Sequence, residues 1–169
     1  FGGTLWVADI DEVIAIDITS GKITSGMTIA GAKFLNDLAT GADGTVYVST
    51  VPGNAKKFYA GSGQAILWAM DASTGATKWK WPEVPADLWS AKHTRLNSGG
   101  GQWYPPTFDG HGNMYVGVAN PAPFPGAPGF PWGSSRPGPD LYTDSIVKLD
   151  EQTGKVIWQV NVLKQFGGS

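Results

Sequence analysis

The chain has 169 residues, 24 of them Gly, 12 Pro and 8 Trp, with 15% charged side chains, 41% hydrophobic ones and a formal net charge of −2. This composition excludes a disordered chain and a helical bundle, and favours short strands joined by Gly/Pro turns and packed through aromatics. Lys and Arg are scattered apart from the pair Lys56-Lys57, so no basic face for nucleic acid exists; there is no Cys for a disulfide, a thiol nucleophile or Cys-bound zinc, and no apolar stretch approaches the roughly 18 residues of a membrane span.

Two elements recur along the chain, always in the same order. The first is D-G-x-x-Y-V, a tight turn entering an alternating aromatic/aliphatic strand. The second is A-x-D-x-x-T-G-x-x-x-W. In it Asp and Thr accept backbone N–H groups within a turn, Gly supplies a positive φ, and Trp lies on the returning strand of a hairpin.

In chain order, the first element opens without its Asp as Gly3-Thr4-Leu5-Trp6-Val7-Ala8. The second follows as Ala15-Ile16-Asp17-Ile18-Thr19-Ser20-Gly21, with Ser25 in the Trp position. Asn36-Asp37 reads as a strand end, with metal binding as the sharper alternative. Next come Asp43-Gly44-Thr45-Val46-Tyr47-Val48 and Ala69-Met70-Asp71-Ala72-Ser73-Thr74-Gly75, the latter ending at Trp79. One helical turn fits Pro85 to Ala91, and no segment of about ten residues has a helical period.

The run Asn97-Ser98-Gly99-Gly100-Gly101-Gln102-Trp103-Tyr104 then permits either close backbone approach to something flat or a flexible turn before a core Trp. The strand element returns, lengthened by two residues, at Asp109 to Val116, where His111 reads as solvent-facing. Residues 121–140 hold seven Pro and four Gly. Phe124, Phe130 and Trp132 within them favour a packed loop over a linker, on a propeller face where binding sites commonly sit. The last copy is Leu149-Asp150-Glu151-Gln152-Thr153-Gly154, ending at Trp158. Asp17, Asp71 and Asp150 are thus turn residues, and Trp79 and Trp158 are sheet-to-sheet wedges, a tryptophan docking motif. His93 has no metal-ligand pattern around it.

The fold these elements predict is an all-β propeller segment of about three four-stranded blades, at 1–31, 32–82 and 83–160, with the last nine residues starting another. An antiparallel sandwich or β-solenoid is the alternative. Trp6 and Tyr47 lie 41 residues apart, within the ~40–45 of a blade, while the 68 from Tyr47 to Tyr115 reflect insertions at 83–102 and 121–140. Propellers usually need ~4–8 blades. The ring is therefore incomplete here, or is completed by further residues or by another copy.

The segments GGGQWYPPTFD, YVGVANPAPF and RPGPDLYTDSIVKLDEQTGKVIW resemble the quinoprotein alcohol dehydrogenases, propellers that hold pyrroloquinoline quinone (PQQ) and Ca²⁺ on their axis. The likeness covers residues 65–160. Residues 1–55 look more like generic strands of gluconolactonase and NHL-type propellers, where an Asn matching Asn36 can bind metal. The resemblance implies Trp103 stacked on the quinone, Asn120 as a Ca²⁺ ligand and an Asp general base. Pro139 occupies that Asp's column and Asp140 follows one position later, so Asp140 is a doubtful base. Arg95 and Arg136 are candidates for the cofactor's carboxylates. The implied substrate is a small alcohol and the implied location periplasmic or extracellular, and this chain alone is not expected to be active. A non-catalytic binding or assembly scaffold, and a lactonase-like metal hydrolase, are the alternative functions.

Overall fold

The computed structural model describes residues 2–30, 32, 34–50, 65–85, 98–123, 128–138 and 140–162. Its strands are β1 (Thr4–Asp9), β2 (Glu12–Asp17), β3 (Ile23–Thr28), β4 (Leu35–Thr40), β5 (Thr45–Thr50), β6 (Ile66–Asp71) and β7 (Thr77–Pro82). They continue with β8 (Ser98–Gly99), β9 (Thr107–Phe108), β10 (Asn113–Val118), β11 (Pro121–Ala122), β12 (Ser145–Asp150) and β13 (Val156–Asn161). Three antiparallel sheets result, in the orders β1-β2-β3, β4-β5-β6-β7 and β9-β10-β12-β13, with β8 and β11 forming a separate ribbon.

The all-β expectation is borne out. Among the described residues the one helical piece is the 3₁₀ turn Pro131–Gly133, and no helix is long and apolar enough to cross a membrane. The first sheet has three strands rather than four. Its β1 carries the element that β5 carries in the second sheet, so the counterpart of β4 is the one lacking. The three sheets do not close a ring.

Each Asp-Thr-Gly turn folds as its residues require. Asp71 Oδ1 accepts the N–H groups of Ser73 at 3.0 Å and Thr74 at 2.9 Å, and the Ser73 and Thr74 hydroxyls at 2.6 and 2.9 Å. These hydroxyl and amide donors hold the exposed Asp71 carboxyl down at about 2. Gly75 closes the turn at φ +71°, donating to the Asp71 carbonyl at 2.8 Å. The copies at Asp17 and Asp150 repeat the bonds to Ser20 and Thr153, with Gly21 and Gly154 at φ +66° and +68°. In all three hairpins the register shifts just before the turn, at Ala15/Ile16, Ala69/Met70 and Lys148/Leu149. In the second hairpin the returning strand β7 carries Trp79 against the third sheet.

The second sheet is buried on both faces. Val46, Val48 and Met70 pack with Val13, Ile29 and Leu35 toward the first sheet. Tyr47, Leu67 and Ala69 pack with Met114, Val116, Val147 and Leu149 toward the third. Trp79 seals that second interface. Its indole N–H donates to the Glu151 carbonyl at 3.1 Å, and a Cβ on Gly154 would lie 2.5 Å from its ring. The Tyr47 hydroxyl reaches the same carbonyl at 3.2 Å.

Between the first and second sheets the Trp is missing, since Ser25 holds its place. Met27, two residues on, covers the equivalent glycine: a Cβ on Gly75 would meet its Cγ and Sδ at 3.1 Å. Methionine's flexibility suits such a substitute. Among the described residues Trp158 on β13 meets no further sheet. It is 44% exposed, tilted against Tyr115 at 6.0 Å, beside exposed Ile146 and Val160.

Replacing Trp79 with Ala should cost about 3–5 kcal/mol, because it leaves a cavity between the sheets and removes the indole bond to the Glu151 carbonyl. Gly154→Ala should also destabilise, by strain and by collision with the ring. Urea midpoints of the full-length protein check both.

Candidate functional site

The glycine run is ordered by the chain's own backbone. Gly99, at φ +107°, lies so close to the facing strand that a Cβ would sit 2.5 Å from the Ala122 nitrogen and 2.7 Å from the Asn120 carbonyl. Gly100 N–H donates to that carbonyl at 3.1 Å, and Ala119 N–H donates to the Gly101 carbonyl at 2.9 Å. The close approach that three glycines permit is therefore to residues 119–122. It brings the segments bearing Trp103 and Asn120 onto one two-stranded ribbon.

Beneath the run lies Glu83, fully buried at the end of the second sheet. Its Oε2 accepts Gly101 N–H at 3.0 Å and its Oε1 accepts the Gln102 side-chain amide at 3.2 Å. Burial pushes this carboxyl up to about 7 against the pull of those two donors. Asn36 also donates its side-chain amide to the Gln102 carbonyl. Asn36 thus gives its Nδ2 to structure, and Asp37 Oδ1 accepts Leu38 N–H at 2.9 Å beside the irregular step in β4.

Trp103 and Tyr104 emerge from this support 66% and 80% exposed. They border an open, mainly apolar groove of about 440 Å³ whose wall includes Thr107, Tyr115, Gly117 and Ile146. Trp103 is therefore a presented ring and not the core residue of the blander expectation. Asn120 uses its Nδ2 on the Pro121 carbonyl at 3.1 Å, which leaves Oδ1 as the amide's acceptor.

Of the three aromatics in the Pro-rich loop, Phe124 lies outside the described residues, Phe130 is half-buried and Trp132 is exposed. Trp132 is 88% exposed, in the left-handed region at φ +55°. Arg136 ties the loop together: its Nη1 donates to Asp140 Oδ2 at 2.8 Å and its Nη2 to the Pro123 carbonyl at 3.2 Å. Asp140 is only 5% exposed, and burial raises its pKa against the nearby guanidinium. Arg136 is likewise committed within the loop, 10% exposed. Asp144 lies next to this pair, its N–H on the Ala119 carbonyl at 3.1 Å and its φ at +52°.

Arg95, His93, Phe124, Pro139 and Lys56-Lys57 lie outside the described residues, as do residues 86–97 of the first insertion. His111 is exposed and bonds through its backbone to Asp109 at 2.8 Å. Among the described residues no three His, Cys, Asp or Glu converge as a metal site.

The glucose/ethanol/alcohol dehydrogenase β-propeller family, the PQQ family, matches residues 9–165. The chain is 33% identical over 180 residues to a quinohemoprotein alcohol dehydrogenase of Comamonas testosteroni, covering 92% of this chain and 24% of that protein. It is 30% identical over 184 residues to quinohemoprotein alcohol dehydrogenase ADH IIB of Pseudomonas putida, covering 96% and 25%. The crystal structure of the Comamonas testosteroni quinohemoprotein alcohol dehydrogenase superposes with a TM-score of 0.76, at 28% identity over 95% of this chain and 26% of that one. The chain thus spans about a quarter of these relatives' length.

Because Glu83 titrates higher folded than its ordinary value near 4.5, the folded state holds the extra proton between about 4.5 and 7. Stability should be full below that window, fall through it by up to about 3 kcal/mol, and level off above. Melting temperatures across pH 4–8 check this, with Glu83→Gln removing the slope. Separately, Arg136→Ala strands Asp140 as a buried unpaired charge and should cost about 3–5 kcal/mol in urea unfolding.

Proposed function

This chain belongs to the PQQ β-propeller family of glucose, ethanol and alcohol dehydrogenases, and from that premise we propose that it is a segment of a quinoprotein alcohol dehydrogenase that oxidises a small alcohol by hydride transfer. The observation that carries this reading is the ribbon on which an exposed Trp103 indole and the Asn120 carboxamide are tied together by the 99–101 and 119–122 backbones. A periplasmic or extracellular location belongs to the same reading.

When bound, PQQ supplies the two-electron acceptor and Ca²⁺ a Lewis acid at its carbonyl. Trp103 offers a flat apolar face, anchored at its base and open above, which suits stacking against a planar quinone. Asn120 Oδ1 offers one hard oxygen donor. Ca²⁺ takes ~6–8 oxygens, so Asn120 supplies one of several. The groove between Trp103 and β10 offers an apolar wall beside the ring.

Asp140 fits the general-base role poorly. A base must present a free oxygen to the substrate hydroxyl, whereas Asp140 is buried and its Oδ2 is engaged by Arg136. Its role in this reading is to hold Arg136, and through it the loop, in place. The same pair favours a second reading, a non-catalytic propeller of the family that binds or assembles through its blades. The metal-hydrolase reading rests on Asn36 alone, whose side-chain Nδ2 is engaged with the Gln102 carbonyl.

Full-length protein supplied with PQQ and Ca²⁺ should reduce an artificial electron acceptor when given a primary alcohol. Trp103→Ala should weaken PQQ binding about tenfold or more, the loss of one stacking face. Absence of any alcohol-dependent reduction, with PQQ bound normally, would turn the assignment to the scaffold.

A further inference from the structure

We propose that Glu83 is the positioning residue for Trp103, a buried brace that holds the glycine run from beneath and sets the angle at which the indole is presented. A carboxyl removed from water is costly to keep, and Glu83 sits in the apolar run Trp81-Pro82-Glu83-Val84-Pro85, where an aliphatic side chain would bury more cheaply. Both its oxygens are spent on one short loop, on Gly101 N–H at 3.0 Å and on the Gln102 amide at 3.2 Å.

The brace has a rigid base. Glu83 N–H donates to the Ala65 carbonyl at 3.0 Å, and the Glu83 carbonyl accepts Tyr142 N–H at 3.2 Å. Its backbone therefore ties the second sheet to the segment leading into β12. From the other side Asn36 of β4 holds the Gln102 carbonyl. Val84 closes the space further, since a Cβ on Gly100 would lie 2.8 Å from its Cγ2. The two residues before Trp103 are thus gripped at three points while the ring itself stands mostly in solvent. A stacking wall gains from such support because less motion remains to be lost when a flat ligand binds.

This role toward the quinone rests on the reading of Trp103 as its stacking partner; the hold on the indole does not. Glutamine at position 83 can reproduce the brace. Its carbonyl would accept Gly101 N–H, and its amide would donate to Gln102 Oε1, which is buried without a partner. Alanine can do neither.

The test uses full-length protein carrying 5-fluorotryptophan, with the Trp103 resonance assigned by its loss in Trp103→Phe. Without cofactor, Glu83→Ala should broaden or split the Trp103 line while those of Trp6, Trp79 and Trp158 stay in place, and Glu83→Gln should restore a single line. In PQQ titrations Glu83→Ala should raise Kd about tenfold, Glu83→Gln should stay within about threefold of the parent, and Glu83→Ala added to Trp103→Ala should change Kd less than about twofold. If Glu83→Ala does not fold, Asn36→Ser loosens the opposite strut alone and should broaden the same line. An unmoved Trp103 line in the folded variant overturns the proposal, as do fully additive effects on Kd. A protein that binds no PQQ, yet whose Trp103 line still depends on Glu83, keeps the positioning role and sinks the quinone reading alone.

Discussion

The contact on which the rest depends is the indole of Trp79 laid on Gly154, with its N–H on the Glu151 carbonyl. A sheet with two apolar faces cannot stand in water, and this wedge gives the second sheet a neighbour at a fixed distance. It works because the partner is a glycine turn: any side chain at Gly154 would displace the ring. The chain uses the same device with a weaker part at its other interface, where Met27 covers Gly75. That substitution shows what the position demands, namely soft apolar volume over a bare backbone.

Sheet stacking then decides where the loops go. With the second and third sheets locked face to face, the chain leaving Trp81-Pro82 and the chain entering β12 lie side by side, which is why Tyr142 can bond to the Glu83 backbone. The glycine run fills the remaining space so closely that backbone meets backbone at residues 119–122. A flat presented ring and a carboxamide oxygen end up on one ribbon for that reason, although 17 residues separate Trp103 from Asn120. The buried acids divide the labour. Glu83 supports the ribbon from below, and Asp140 holds Arg136 against the Pro-rich loop.

Much of the fold was legible because its signals are local. An Asp-Thr-Gly turn carries its hydrogen bonds within five residues, so Asp71 and Asp150 could be assigned to turns from spacing alone. The site was legible in part. Trp103 and Asn120 were singled out by resemblance and lie on one ribbon, whereas nothing in the sequence pointed to the partners of Asp140 and Asn36. Arg136 lies only four residues before Asp140, a spacing that was available, but in a Pro/Gly loop it says nothing about whether two side chains meet. Glu83 went unremarked, although a lone acid in an apolar W-P-E-V-P run is a signal in itself.

By itself the amino-acid order determined the strands, the turns between them and the repeat that stacks them, because each depends on residues within one hairpin. Tertiary structure alone decided that three glycines serve contact with the chain's own backbone, that Trp132 stays in solvent, and that the two loop acids are buried in opposite roles. For the glycine run and Glu83 the reason is distance: their partners lie 18 to 66 residues away, such as Gly101 on Glu83 and Asn36 on Gln102. Only the packing of whole sheets brings such partners into reach.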